Sequence, residues 1–257
     1  MNKDNKSIRI AAVGDIHVKE ADRGKWTECF RAISEKADIL LICGDLTDTG
    51  RPEEAAVLYE ELHACRIPIV AVLGNHDFDH GKQEEIKEIL QSDNFHLLDG
   101  DSVVVEDIGF AGVKGFGGGF DNFMLSMFGE KMIKRFVQES VDESLKLDKA
   151  LMRLDSLREV TAKVVLLHYS PIKATVIGEP EQIYPFLGSS RLADPINRRN
   201  VDVVFHGHAH VGTFEGQTSK GVKVMNVAKP LLLKMGMELP FYLYEVNTSK
   251  VALESEQ

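Results

Sequence analysis

Five apolar runs in this chain are each followed closely by residues that bind metals in proteins. The candidate ligands after these runs are Asp15 and His17, Asp45, Asn75, His168, and His208 with His210. Such groups are costly at the end of a buried strand unless a partner compensates them. Mixed aspartate, asparagine and histidine ligands suit divalent Mn, Fe, Zn, Co or Ni, and contain too much nitrogen for a calcium or magnesium cage. The sequence therefore predicts a transition-metal centre.

The seven candidate ligands are too many for one tetrahedral ion and suit two ions that share a carboxylate, for which Asp45 is the candidate. Two divalent ions about 3.5–4 Å apart favour in-line displacement at phosphorus, with a metal-bound hydroxide as the nucleophile. The leaving group then needs a general acid. His76 directly follows Asn75 and is the candidate acid, and Asp48 is the candidate to orient it.

Repeated strand–loop–helix units are predicted to position these residues. The predicted strands span 8–13, 39–43 and 67–73, with helices through 26–30 and from Pro52 onward. Asp15, Asp45 and Asn75 follow the strands at intervals of 30 residues, the length of one βαβ step. We therefore expect them at the carboxyl ends of neighbouring parallel strands, where open α/β sheets keep their active sites.

The second half of the chain predicts a second sheet and a long helix. Short alternating runs between 94 and 113 suggest a meander of the second sheet, and the C-terminal third suggests antiparallel strands. Helical spacing of apolar residues extends over 126–160, and a helix at 191–199 leads to a strand at 201–205. The apolar start of the long helix, FMLSMF, is expected to contact the core, and the alternative is a lid or a dimer face.

Composition indicates an ordinary globular protein. The chain has 257 residues, of which 44% are hydrophobic and 27% charged, and its net charge is −10. Its length suits a single domain over 1–257, with a helical insertion at about 120–160. The acidic balance argues against nucleic acid and anionic membranes as partners, and oligomeric state is left open. Three cysteines without CxxC spacing and a polar N-terminus predict a cytoplasmic protein.

Five motifs in order make the chain resemble the calcineurin-like metallophosphoesterase superfamily. They are GDIH, GDLTD, GNHD, the single histidine of LLHYSP, and GHAH, and they extend from Asp15 to His210. The resemblance implies an α/β fold, a four-layer α-β-β-α sandwich of two mixed sheets flanked by helices. It also implies a dinuclear metal-dependent phosphoesterase.

The resemblance implies a role for each matching residue. One metal would be bound by Asp15, His17 and His210, and the other by Asn75, His168 and His208. Asp45 would bridge the two metals. His76 would be the acid or phosphate-binding histidine, with Asp48 as its partner.

Two departures from the superfamily's protein phosphatases bear on the substrate. The sequence Asp48-Thr49-Gly50 stands where they have Asp-Arg-Gly, and Asp77 stands where they have glutamate. These differences favour the bacterial phosphodiesterase branch of the superfamily. The expected substrate is a phosphodiester or a phosphomonoester, and a nucleotide-like small molecule is favoured. The alternatives are a nuclease of the same superfamily and a non-catalytic protein-binding scaffold. The complete set of candidate ligands argues against the scaffold.

The remaining polar residues near the motifs are expected to have other roles. His206 lies at a strand end and is expected to be structural or to support a ligand. Asp77, Asp79 and His80 are expected to form a solvated acidic loop.

Overall fold

The computed structural model describes residues 6–248, so the outermost residues of the predicted domain and of the N-terminal segment lie outside it. The strands are β1 (Lys6–Val13), β2 (Ile39–Cys43), β3 (Ile69–Val72), β4 (Phe95–Leu97), β5 (Asp101–Val105), β6 (Ile108–Val113), β7 (Ala162–Leu167), β8 (Val203–His206), β9 (Glu215–Gln217), β10 (Lys223–Asn226) and β11 (Tyr242–Thr248). The helices are α1 (Thr27–Lys36), α2 (Pro52–Leu62), α3 (Gln83–Leu90), α4 (Lys131–Asp155), α5 (Tyr184–Leu187), α6 (Ala193–Arg198) and α7 (Lys229–Lys234). None of the described helices combines the length and the apolar character needed to span a membrane.

The strands form two mixed sheets, which confirms the predicted fold class. The first sheet has the order β11-β1-β2-β3-β4, and the second has the order β5-β6-β7-β8-β10-β9. In the first sheet only β11 is antiparallel to its neighbour, and in the second only the edge strands β5 and β9 are. The candidate ligands after β1, β2, β3, β7 and β8 therefore follow the carboxyl ends of parallel strands.

Some strand pairings differ from those expected from sequence. The run FHLL contains β4, which pairs parallel with β3 in the first sheet and does not belong to a meander of the second. In the C-terminal third, β10 pairs parallel with β8, and only β9 and β11 are antiparallel to their partners. Short strands of this kind carry no local signal for their partner, because pairing depends on which sheet edge lies near them.

Three apolar layers hold the sheets and helices together. The layer between the two sheets contains Ile10, Leu41, Phe110 and Phe205. Outside the first sheet, Phe30 of α1, Leu58 of α2 and Ile86 of α3 are buried against its strands. Outside the second sheet, α4 and α6 bury Leu147, Leu151 and Ile196. The strands near the site are buried on both faces, which explains their continuous apolar sequences.

The apolar segment before the long helix is not part of the core. The helix α4 begins at Lys131, after this segment. Phe123 is 82% exposed, and Met127 and Phe128 are 47% and 57% exposed. The expected core contact is therefore wrong, because no facing helix covers this stretch within the described residues.

Candidate metal centre

The loops after β1 and β2 hold three of the predicted ligands in an unusual backbone conformation. Asp15, His17 and Asp45 have φ angles of 56°, 47° and 50°, in the left-handed region that costs energy for side-chain-bearing residues. The two loops are hydrogen-bonded to each other, since Asp15 N donates to Gly44 O and His17 N to Asp45 O, both at 3.0 Å. Strain of this kind clusters at functional sites, where the surrounding structure holds it in place.

The first group of ligands contains Asp15, His17 and His210. His210 Nε2 lies 2.9 Å from Asp15 Oδ1, and the His17 and His210 rings are 5.8 Å apart. Asp15 is fully buried, and both of its carboxylate oxygens accept the backbone N–H of His208 at 3.0 Å. The loop after the carboxyl end of β1 and the loop after β8 therefore meet at Asp15.

The second group contains Asn75, His168 and His208, with Asp45 beside them. His168 Nδ1 lies 3.1 Å from the carbonyl of Cys43, to which it can only donate, so Nε2 carries the lone pair. That nitrogen faces Asn75 Oδ1 at 2.8 Å and Asp45 Oδ1 at 3.4 Å. Three acceptor atoms facing one another repel unless a cation lies among them, so this contact fits a bound metal.

Electrostatics in the centre also favour cations. Burial raises the pKa of Asp45 well above its usual range, and the charges of Asp15 and Asp77 raise it further. Burial acts in the same direction on Asp15, but the hydrogen bond from His210 and the neighbouring imidazoles bring its pKa down to about 2. The directions differ because Asp15 accepts a hydrogen bond from His210, whereas burial and neighbouring carboxylates dominate at Asp45. Positive charge placed between the two carboxylates would stabilise both.

The imidazoles are suited to donate lone pairs. Burial lowers the pKa of His17 to about 4 and holds that of His168 well below its usual range, so both rings are neutral. His17 Nε2 lies 3.6 Å from Asp45 Oδ2 and faces the centre, whereas its buried Nδ1 is directed to Asp48 and has no hydrogen-bond partner within the described residues. His208 Nε2 donates to the carbonyl of Phe186 at 3.1 Å, which leaves Nδ1 free. Neutral rings that each direct one nitrogen without a hydrogen to the centre are what a divalent transition ion requires.

Three sets of side chains have ligand atoms within 4.8 Å of one another: Asp15 with His17 and His210, Asp45 with His168 and His208, and His17 with Asp45 and His76. The structure therefore brings the predicted ligands together. The residues present fit the metals predicted from the sequence.

His76 lies at the open side of the centre, and its partners differ from the predicted pair. Its Nδ1 lies 2.8 Å from the backbone carbonyl of Asp48 and 3.3 Å from Asp79 Oδ2. The carboxylate of Asp48 instead lies 3.8 Å from His17 Nδ1 and 3.5 Å from Lys19 Nζ. Asp48 thus contacts His76 through its main chain, because the side chain turns toward His17.

Asp77 lies near the centre and has a structural role that the sequence did not indicate. It is fully buried, and the expectation that it lies in a solvated acidic loop is wrong. Its Oδ1 accepts the backbone N–H and the hydroxyl of Thr47 at 2.8 and 2.6 Å. Its Oδ2 accepts the backbone N–H groups of Gly74 and Leu46 at 2.8 and 3.2 Å. Asp77 therefore ties the loop of Asp45 to the loop of Asn75, and only its place after Asn-His in the motif could have suggested this.

Two further residues near the centre have clear structural partners. His206 is fully buried, with Nε2 2.8 Å from Thr175 Oγ1 and Nδ1 2.7 Å from Gly207 O, which agrees with the structural role expected for it. Lys229 was not indicated by any motif. Its Nζ donates to Ile16 O at 2.6 Å and lies 4.9 Å from the centre of the Trp26 ring.

The sequence profile of the calcineurin-like phosphoesterase family matches residues 8–212. The match covers most of the chain and all five motifs, and the chain belongs to this family. The fold and the cluster of metal-binding residue types agree with that membership.

Comparison with individual proteins gives more distant similarities. A probable glycerophosphodiester phosphodiesterase GpdQ of Arcobacter nitrofigilis is 24% identical, over 78% of this chain and 71% of its own length. A probable cyclic nucleotide phosphodiesterase of Moraxella catarrhalis is 30% identical over 30% of each chain. Among solved structures, the phosphopantetheinyl hydrolase PptH of Mycobacterium tuberculosis superposes with a TM-score of 0.66 at 13% identity, covering 91% of this chain and 95% of that one. The last similarity supports the fold alone.

Proposed function

We propose that this protein is a dinuclear metal-dependent phosphoesterase that hydrolyses a phosphodiester of a small organic molecule, with a nucleotide-like compound favoured. The position of Asp45 is the main support for two metals. Its Oδ2 lies 3.6 Å from His17 Nε2, and its Oδ1 lies 3.4 Å from His168 Nε2. One oxygen thus faces each group of ligands, which is the arrangement a bridging carboxylate needs.

Each group of residues has a distinct part in the proposed reaction. Divalent ions bound here would polarise the phosphoryl oxygens and supply the water-derived nucleophile. His76 would give a proton to the leaving group, because its Nδ1 is held by the Asp48 carbonyl and Nε2 is left to act. The Asp79 carboxylate lies 3.3 Å from the same Nδ1 and would help to hold the ring in this orientation.

Several observations support a small phosphodiester over the alternatives. The relatives in Arcobacter and Moraxella are named as phosphodiesterases. The net charge of −10 argues against a nuclease, which needs basic surface for the phosphate backbone. A scaffold without activity would have no reason to keep every candidate ligand. The native metals among Mn, Fe, Zn, Co and Ni, the cytoplasmic location and any homo-oligomer stay predictions.

The test compares bis-p-nitrophenyl phosphate with p-nitrophenyl phosphate, in Mn and in chelator. We expect metal-dependent turnover that favours the diester, and about two metal equivalents per chain by elemental analysis. Asp45→Ala should lose both metals and the turnover, whereas Asp93→Ala, at an exposed position, should keep them. Turnover of the monoester alone would move the assignment to a phosphatase. Absence of metal binding even with added Mn would refute the dinuclear mechanism.

A further inference from the structure

An apolar groove of about 580 Å³ is formed by the segment before α4, the start of α4, and α5. Its walls include Phe116, Leu125, Phe128, Met132, Phe136 and Phe186. Phe128, Met132 and Phe186 are 57%, 68% and 58% exposed, so the groove is open to a ligand. Its volume is within the range of small-molecule sites, roughly 300–1,000 Å³.

Two residues of the groove wall connect it to the metal centre, although no candidate ligand lines the groove itself. The carbonyl of Phe186, on the groove wall, accepts the hydrogen bond of His208 Nε2 at 3.1 Å. The ring of Phe116 lies 5.8 Å from that of Tyr169, which in turn lies 4.4 Å from the His208 ring. Because Phe186 touches a candidate ligand and Phe116 is one residue removed from it, the groove lies beside the centre, within reach of a long substituent on a molecule held there.

The groove floor is already packed before anything binds. Phe136 contacts Phe116 at a ring distance of 4.9 Å and Phe186 at 6.0 Å. A preformed apolar site loses little entropy when it takes a ligand. Arg135 and Glu139 lie at the groove as well, but most of its wall is aromatic, thioether or aliphatic and offers apolar contact, which suits an alkyl or aryl group.

A lysine lies where the groove meets the metal centre. Lys114 Nζ is 4.9 Å from the centre of the Phe116 ring and 5.4 Å from those of Phe78 and Tyr169. Its Nζ donates to Gly115 O at 2.8 Å, and the carboxylates of Glu143 and Glu139 act on its charge from nearby. An ammonium group therefore lies between the groove wall and Tyr169, the neighbour of His208.

We propose that this groove is a subsite of the catalytic centre that takes the apolar alkyl or aryl substituent of a phosphodiester substrate. This inference rests on the proposed function and narrows its substrate class to amphiphilic phosphodiesters. The occupant is a substrate and not a second copy of the chain, because a residue of the groove wall is hydrogen-bonded to a candidate metal ligand.

The test uses p-nitrophenyl phosphodiesters whose second ester group is methyl or n-octyl, below the concentration at which the octyl ester aggregates. The leaving group is the same in both, so the ratio of their kcat/KM values reports only on the second substituent. We expect the Mn-loaded protein to favour the octyl ester by at least about tenfold, the gain that burial of two methylenes gives.

Matched double variants separate the groove from general effects of removing surface apolar groups. Phe128→Ser with Met132→Gln changes the groove, and Leu145→Ser with Met152→Gln changes α4 at positions that are 50% and 52% exposed and lie outside it. The groove variant should lower the octyl-to-methyl ratio about tenfold, and the control variant should keep it. Calorimetry with n-octylphosphonate and methylphosphonate should show the same preference in binding, with a negative heat-capacity change for the octyl compound.

The outcomes distinguish this inference from the proposed function. Cleavage of the methyl ester with an octyl-to-methyl ratio near one would overturn the subsite and leave the phosphodiesterase standing. Failure to cleave either ester with metal bound would overturn both. A groove variant that keeps the ratio but changes the mass measured by light scattering would assign this face to self-association and overturn the subsite.

Discussion

Replacing Asp77 should disrupt the metal centre although this residue is not a predicted ligand. Its carboxylate accepts the backbone N–H groups of Leu46, Thr47 and Gly74 and the hydroxyl of Thr47, at 2.6–3.2 Å. Burial raises the pKa of Asp77, and these hydrogen bonds oppose that change. The loops of Asp45 and Asn75 are thereby held to each other through one buried side chain.

The cost of losing this contact follows from the donors left behind. Asp77→Ala leaves three backbone N–H groups without a partner. Each unsatisfied buried donor costs about 1–3 kcal/mol, and a water that enters the hole would satisfy part of them. We expect a loss of roughly 3–6 kcal/mol in the free energy of unfolding, against about 5–15 kcal/mol for a whole domain. Asp77→Asn should lower the free energy of unfolding by less than Asp77→Ala. The asparagine oxygen still accepts hydrogen bonds, whereas its NH₂ group faces backbone donors and cannot accept from them.

Urea unfolding followed by circular dichroism, in chelator, measures this loss without the contribution of bound metal. Asp93→Ala, at an exposed position in the turn before β4, is the control and should change the free energy of unfolding by less than about 0.5 kcal/mol. Elemental analysis of the Mn-loaded variant should show reduced metal content. A loss below about 1 kcal/mol for Asp77→Ala, with metal content unchanged, would refute the argument that this carboxylate holds the two loops together.

Three further changes test other parts of the structure. His76→Ala should keep both metals and lower kcat by about 10²–10⁴ for esters with poor leaving groups, as loss of a general acid does. Gly74→Ala should reduce metal content, because the new Cβ would lie 2.1 Å from Asp45 Oδ1. Asp99→Asn should destabilise the protein at pH 7 by less than about 1 kcal/mol, since the pair with Lys146 is half-exposed. Burial alone would raise the pKa of Asp99, but the charge of Lys146 holds it below its usual range. The stabilisation by the Asp99 carboxylate is therefore present above about pH 4, the pKa of aspartate in the unfolded chain. It is lost as the pH falls through the lower pKa of Asp99 in the folded protein.

Each change has an outcome that contradicts its reasoning. Loss of metal from His76→Ala would make that residue a ligand. Full metal content in Gly74→Ala would mean that the Asp45 loop can move aside. For Asp99→Asn, urea unfolding at pH 7 and pH 3 compares the free energy of unfolding of the variant with that of the unmodified protein. The difference should be smaller at pH 3. An equal difference at both values would show that the charge of Asp99 is not what stabilises the fold.

Local sequence determined the residue types of the centre and the strands that carry them. Asp15, Asp45 and Asn75 follow continuous apolar runs at equal intervals, and such runs form buried parallel strands whose carboxyl ends align. These are properties of short segments and of chain spacing, so they can be predicted without knowing distant contacts. The parallel strands of the first sheet and the set of candidate ligands were accessible in this way, whereas two mixed sheets were implied by the resemblance to a known family.

Only the tertiary structure decided how those residues face one another. The two oxygens of Asp45 are directed to imidazoles on different strands, and Asp77 is buried because separate loops surround it. The apolar groove likewise joins Phe186 to residues far earlier in the chain. The pairing of β4, β10 and β11 depended on neighbours distant in sequence. Orientation, burial and strand partners arise from contacts between segments far apart in the chain, and no local pattern of residues encodes them.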